Sequence, residues 1–427
     1  MKTKNDVAWE NLFSRYDILS KVQQNGIYRI SAATINGERE ARLMTKFDQR
    51  ASLPEIFRDN HLSILPDSRG TYLIGDFDSY QNLTYDSTLN ADEIAFPSEI
   101  ETIDPTNLYS EAAGLLCAYN ARILDRLVDE EVRFTVAGRM STGVFDYQIK
   151  TGRGSEQIAV ANAQCEIDGG FESASKMLII EAKNFETDDF LIRQLYYPYR
   201  LWRGKTRKQI VPVFMTLSND VFSFHVFRFR NEAVYNSLEL VETRKFRVAP
   251  VEISLTDILA ELAKASALQP TAPPRVPFPQ ANSFRRVVDL LGLLQANGYL
   301  TQDQVASNYV FTGRQAHYYP TAGIYLGLIK RDVDANRSVV YALTNEGDRI
   351  MKMPSRQKFL ALANVILRNR VFARTLQLYI DNGDRPSETD VCAIMISENV
   401  PLNDTTVRRR AQTVLAWVDW ILDLQHQ

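Results

Sequence analysis

The chain has 427 residues, a net charge of −3, 45% hydrophobic and 24% charged residues, the balance of an ordinary globular protein of about two to four domains. No apolar run approaches a membrane span, Met1 to Asp6 lacks the apolar core of a signal peptide, and a cytoplasmic location is expected. Cys117, Cys165, Cys392 and the four histidines have neither the spacing of a disulfide framework nor that of a zinc site.

Charge is unevenly spread. From Ala281 onward 17 basic residues face 14 acidic ones, a net of +3, which leaves −6 in front. An acidic front and a mildly basic back suit carboxylates that hold a metal, joined to a module that meets phosphate.

The first hundred residues read as an α+β region, with strands at Arg29 to Ala33 and Thr71 to Ile74. Leu108 to Leu127 has the apolar spacing of one helix, through Leu115, Leu116, Tyr119, Ile123 and Leu127. Strand patterns follow at Phe134 to Val136, Val144 to Tyr147, Ile158 to Val160 and Lys176 to Ala182. A helix is predicted over Phe190 to Trp202, and strands over Val211 to Met215 and Val221 to Phe227. Five prolines (270, 273, 274, 277 and 279) between Gln269 and Gln280 predict an extended linker.

Beyond it, Ser283 to Gln295 is amphipathic. Thr301 with Gln304, and Thr312 with Gln315, match the capping-box spacing that opens a helix. Gly327 to Arg331 and Val339 to Leu343 flank a turn at Asp334 to Arg337. Pro320 should kink or split the third helix. Ser387 and Asp404 read as caps of two C-terminal helices. In the last of these, Val407, Ala411, Val414, Leu415, Val418, Ile421 and Leu422 form one apolar stripe, and Arg408, Arg409 and Arg410 occupy the first turns. That trio is either a solvated face or a grip on phosphate.

The chemistry concentrates where the apolar run Leu178 to Ile180 ends in Glu181-Ala182-Lys183. Residues two apart share a strand face, so Glu181 and Lys183 project together. Asp168 lies thirteen residues earlier, room for a turn at Gly169-Gly170 and a return strand. Two nearby carboxylates can hold a hard divalent cation, and an ammonium beside them can orient water. The bland alternative is a structural ion pair between Glu181 and Lys183. Glu111, opening the preceding helix, is either a further acid or a glutamate favoured by the helix dipole. Glu166 alternates with Asp168, and Gln194 sits on the helix after the lysine.

The segments Gln164 to Gly170 and Leu178 to Lys183 resemble the D…ExK core of the PD-(D/E)XK nucleases, restriction endonucleases most closely. Tyr341 to Gly347 resembles the Y-x-L-T-x-x-G closing strand of winged-helix domains. Phe278 to Phe284 together with Arg314-Gln315-Ala316-His317-Tyr318-Tyr319 looks like the second half of a group of type II restriction enzymes with a winged-helix tail. The resemblance implies an α/β (α+β) nuclease core, a mixed sheet flanked by helices, followed by a mostly helical winged-helix and helix-turn-helix region. It divides the chain into residues 1–105 (N-terminal region, with DNA recognition), 106–268 (nuclease core), 269–280 (linker), 281–353 (winged helix) and 354–427 (helical domain).

Under it, Asp168 and Glu181 bind Mg²⁺ with the carbonyl of Ala182, and Lys183 orients water. Glu111, Glu166 and Gln194 support them. Arg314, Gln315, His317, Tyr318, Arg408, Arg409 and Arg410 meet DNA. The expected partners are double-stranded DNA, a second copy in a homodimer and a cognate DNA methyltransferase. A winged-helix regulator without catalysis, or a repair or methylation-dependent nuclease with the same site, are the alternatives.

Overall fold

The structure, a computed structural model, describes residues 2–426 apart from 87, 109, 249–251, 268–275, 310–314, 335–336 and 403; the side chains of 307–309, 315–316, 404–405 and 426 also lie outside the description. A seven-stranded mixed sheet organises the middle of the chain. Its strands are β1 (Asp92–Ile94), β2 (Arg133–Ser141), β3 (Gln164–Glu172), β4 (Lys176–Lys183), β5 (Gln209–Ser218), β6 (Val221–Phe229) and β7 (Leu238–Val248), in the order β1-β7-β6-β5-β4-β3-β2. β4 runs parallel to β5, and β7 parallel to β1; the other pairings are antiparallel. The apolar run of β4 reflects its place. With a neighbour on each edge and cover on both faces, Met177, Leu178, Ile179 and Ile180 are all buried.

On one face lies helix α1 (Glu111–Asn120), in a core with Leu115, Leu124, Leu178, Ile180 and Phe224. On the other lie helix α2 (Arg193–Arg203), which joins β4 to β5, and the N-terminal unit, whose Trp9, Phe13 and Phe57 share a core with Leu195, Tyr196 and Phe214. That unit carries the small antiparallel sheet of Ile27–Ser31, Ser63–Pro66 and Thr71–Gly75.

Several sequence expectations change, among them the helix expected from Phe190, which begins at Arg193 after a strand Asp189–Leu191 paired with Tyr80–Asn82. Gly169 and Gly170 sit inside β3, and the turn falls at Ser173 to Ser175, where Ser173 N donates to Lys176 O at 2.9 Å. A Cβ on Gly169 would stand 2.4 Å from Leu115 Cδ2, so the missing side chain lets α1 settle on the sheet. The single helix expected over Leu108 to Leu127 is two, α1 and Ile123–Val128, broken at Arg122 with φ +60°. Leu115, Ile123 and Leu127 of the expected stripe still share one core, which hid the break, while Leu116 is exposed. Val144–Thr151 and Gly154–Ala161 form a separate hairpin that buries Tyr147, Ile149, Ile158 and Val160 in the N-terminal core. Their alternation is that of any half-buried strand and does not say which sheet they join.

The C-terminal region is helical around a three-stranded sheet. Helix Phe284–Asn297, strand Tyr299–Thr301, helices Gln302–Tyr309 and Gln315–Tyr325, strands Ile329–Val333 and Val339–Leu343 and helix Asn345–Met351 follow in order. Val339–Leu343 is the middle strand. Thr301 and Gln304 exchange the hydrogen bonds of the expected capping box (3.2 and 2.7 Å); Thr312 lies outside the described residues. Helix Gln315–Tyr325 is not split by Pro320, which lies within it. Ser387 caps its helix through Asp390, whereas Asp404 is itself the first helical residue.

One apolar core joins this segment to the last four helices and to helix Leu255–Ala267, through Ile258, Leu262, Leu290, Phe359 and Trp417. Of the predicted linker, residues 269–275 lie outside the described residues. Phe278 is buried and stacked on Phe372 (centroids 5.7 Å apart).

Candidate active site

The C-terminal end of β4 meets β3, the first turn of α1 and the start of α2. The β3–β4 register places Ile180 opposite Gly169, so Glu181 and Asp168 are neighbours one step further along. Asp168 Oδ2 accepts a hydrogen bond from Ala182 N at 2.8 Å, which ties the two strands where the charges begin. Ser110 caps α1 by accepting from Ala113 N at 3.1 Å. With the helix seated on Gly169, its first-turn Glu111 comes within 3.4 Å of Lys183 Nζ.

Glu181 and Lys183 are only 7% and 9% exposed. Lys183 Nζ donates to Glu181 Oε1 at 2.6 Å and to the Ala182 carbonyl at 2.9 Å. Gln194 Nε2, from the first turn of α2, also donates to Glu181 Oε1. Gln194 Oε1 is buried without a hydrogen-bond partner among the described residues. Asp168, Glu181, Lys183, Ala182, Gln194 and Glu111 are therefore brought together. Glu166 is not: it is exposed and pairs with Arg139 on the neighbouring β2 at 3.3 Å.

The electrostatics follow from burial. Burial pushes Glu181 up to about 8, and Asp168 and Asp48 add to the shift against the pull of Lys183. Burial also raises Glu111, with Lys183 opposing it. Burial disfavours the charge on Lys183, yet Glu181, Glu111, Asp168 and Asp48 together hold the ammonium well above its ordinary value.

Asp48 is the residue sequence reasoning missed. It arrives from the N-terminal unit on a segment held by Leu191 N to Asp48 O (2.7 Å) and Tyr80 Oη to Phe47 O (2.9 Å), with Lys46 Nζ 3.7 Å from its carboxylate. Nothing local in Lys46-Phe47-Asp48-Gln49 marks it, because its role depends on a long-range docking.

Four carboxylates thus share two lysines. Among the described residues no three histidine, cysteine or carboxylate side chains form a metal cage. The donors present are carboxylate and carbonyl oxygens in a field with too few cations, together with the unpartnered Gln194 Oε1. That set fits a hard cation such as Mg²⁺, which keeps several of its waters.

Of the nucleic-acid residues expected in the C-terminal region, Tyr318 and Arg409 line one cleft. Arg314 lies outside the described residues, and Gln315 opens its helix with its side chain outside them. His317 is exposed, Tyr318 half-buried, Arg408 and Arg409 exposed, and Arg410 half-buried on the helix Asp404–Asp423.

No curated protein and no solved structure matches the chain. Three family models match successive segments, each described as a domain of unknown function: DUF6996 over residues 6–74, DUF6997 over residues 75–247 and DUF7226 over residues 286–426. The candidate site draws Asp48 from the first segment and its remaining residues from the second.

Proposed function

We propose that the chain is a Mg²⁺-dependent, site-specific DNA endonuclease of the type II restriction kind. The observation that carries this reading is the convergence of Asp168, Glu181, Lys183 and Gln194 at the end of a buried central strand. Charges at such a place are costly unless partners or a ligand compensate them. Here the carboxylates exceed what the lysines neutralise.

Asp168 and Glu181, with the Ala182 carbonyl, are the groups that would hold Mg²⁺. When bound, the ion supplies Lewis-acid polarisation of a phosphoryl oxygen and lowers the pKa of a coordinated water. The chain's own part is positional. Gln194 and Ala182 N fix the two carboxylates by hydrogen bonds. Lys183, kept protonated by its four acidic neighbours, orients the attacking water and offsets charge developing on phosphate. Water oxygen bonds to phosphorus, the P–O3′ bond breaks, and the 3′ oxygen takes a proton, leaving 3′-hydroxyl and 5′-phosphate ends. Cutting both strands calls for two such sites, hence a homodimer, and a cognate DNA methyltransferase would protect the host.

The helix-strand-helix-helix-strand-strand order from Phe284 to Leu343, with the last strand central, supports a winged-helix DNA-binding unit that supplies specificity. One observation favours a second reading, a non-catalytic regulator. Lys183 already donates to Glu181 and to Ala182 O, the arrangement of a structural ion pair. Incubation with phage DNA and Mg²⁺ separates the two. Discrete fragments that vanish in Asp168→Ala and Glu181→Ala support the nuclease. Intact DNA bound without cleavage supports the regulator.

A further inference from the structure

A second concave site lies far along the chain from the carboxylates. Gln280 and Asn282, Tyr318 and Tyr319 on the helix Gln315–Tyr325, and Arg409 and Gln412 on the helix Asp404–Asp423 line a cleft with about 190 Å³ of free space. That is room for about six waters at ~30 Å³ each. Among the described residues no carboxylate and no aliphatic side chain lines it. Three carboxamides, two phenols and one guanidinium do.

Each group has a reading in nucleotide chemistry. Thr413 Oγ1 donates to Asn282 Oδ1 at 2.6 Å, which orients the amide and leaves Nδ2 as a donor. Gln412 Nε2 donates to Glu388 Oε1 at 3.1 Å, which leaves its oxygen as an acceptor. Side-by-side donors and acceptors of this kind match the edges of nucleobases, and a tyrosine ring offers a surface on which any base can stack. Arg409 is exposed at the rim. The next residue, Arg410, keeps Nε and Nη1 buried with no hydrogen-bond partner among the described residues. Burial, with Arg409 beside it, holds the Arg410 guanidinium below its ordinary value. Arg410 does not line the cleft, so the contact with phosphate falls to Arg409, whose planar guanidinium fork suits it.

We propose that this cleft takes one nucleotide of a bound DNA strand, its phosphate on Arg409 and its base against Tyr318 among the carboxamides. The proposal rests on the reading of the C-terminal region as a DNA-binding unit, and adds that recognition there involves a single nucleotide drawn into a pocket.

The test uses the full-length protein without metal, titrated by calorimetry with each of the four deoxynucleoside monophosphates and with inorganic phosphate, up to about 10 mM. At least one mononucleotide should bind roughly tenfold more tightly than phosphate, the margin expected of one stacked base. Arg409→Ala should weaken both ligands. Tyr318→Leu should weaken the mononucleotide and leave phosphate unchanged. Absence of saturation by any mononucleotide overturns the proposal, as does binding that survives both substitutions. Phosphate binding as tight as all four nucleotides would reduce the cleft to an anion site and also overturn it. Duplex binding by the same preparation is measured alongside. Duplex bound without any nucleotide response refutes the cleft alone, whereas loss of both refutes the DNA-binding reading beneath it.

Discussion

Replacing Lys183 with Met separates a catalytic lysine from half of an ion pair. The substitution removes the 2.6 Å partner of a carboxylate that is 7% exposed, and breaking a buried pair costs about 3–5 kcal/mol. The low end applies here. Glu181 is already pushed up to about 8 by burial, so the orphaned carboxyl takes a proton near neutral pH at little further cost. In a unit of this size about 3 kcal/mol lowers the melting temperature by roughly 6–12 °C. Saturating Mg²⁺, at about 100 times its Kd, returns about 2.7 kcal/mol, because a cation then neutralises the remaining carboxylates. With the ion present the variant should melt close to wild type and bind DNA, while single-turnover cleavage falls by roughly 10²–10⁴-fold. The double variant Glu181→Gln with Lys183→Met should recover most of the metal-free stability, since both members of the pair are gone. A Lys183→Met protein that melts low even in Mg²⁺, and whose folded fraction cuts at the wild-type rate, would refute the catalytic role.

Three further outcomes are expected. Burial pulls His225 down to about 4, so the unfolded chain binds a proton that the native one refuses; stability is complete above about 6.5 and falls toward pH 4 by on the order of 3 kcal/mol. Urea unfolding of His225→Phe should show a flatter acid limb than wild type, and parallel limbs would contradict the assignment. Gly169→Ala places a Cβ 2.4 Å from Leu115 Cδ2 and 2.7 Å from Phe171 Cε2 and should destabilise by about 1–3 kcal/mol through overpacking; an unchanged melting temperature would show that α1 is not held as described. A fragment from Glu252 to Gln427 should be soluble and bind duplex DNA with a steep salt dependence. One starting at Ala281 loses helix Leu255–Ala267 from the shared core and should aggregate; equal solubility of the two would argue that the helix is dispensable.

The candidate site was legible in the sequence wherever one strand sufficed to build it. The period of two aligns Glu181 with Lys183, and the apolar run before them announces a central strand, whatever the rest of the chain does. Capping signals at Thr301 and Ser387 were equally local, since a side chain reaching three residues on needs no tertiary partner. Tertiary structure alone decided the rest. Gly169 and Gly170 look like a turn in sequence; only the tertiary structure shows that Gly169 clears space for α1 while Gly170 lies against Val136 of β2. The hairpin from Val144 to Ala161 has the alternation of a core strand pair, but period two carries no information about which sheet it joins. Asp48 enters the carboxylate cluster because a loop of the N-terminal unit docks against the segment around Leu191, a contact with no trace in its neighbours. Local spacing determines which groups can face together on one element. Which elements meet depends on how separate apolar faces find cover, and no short stretch of sequence contains that.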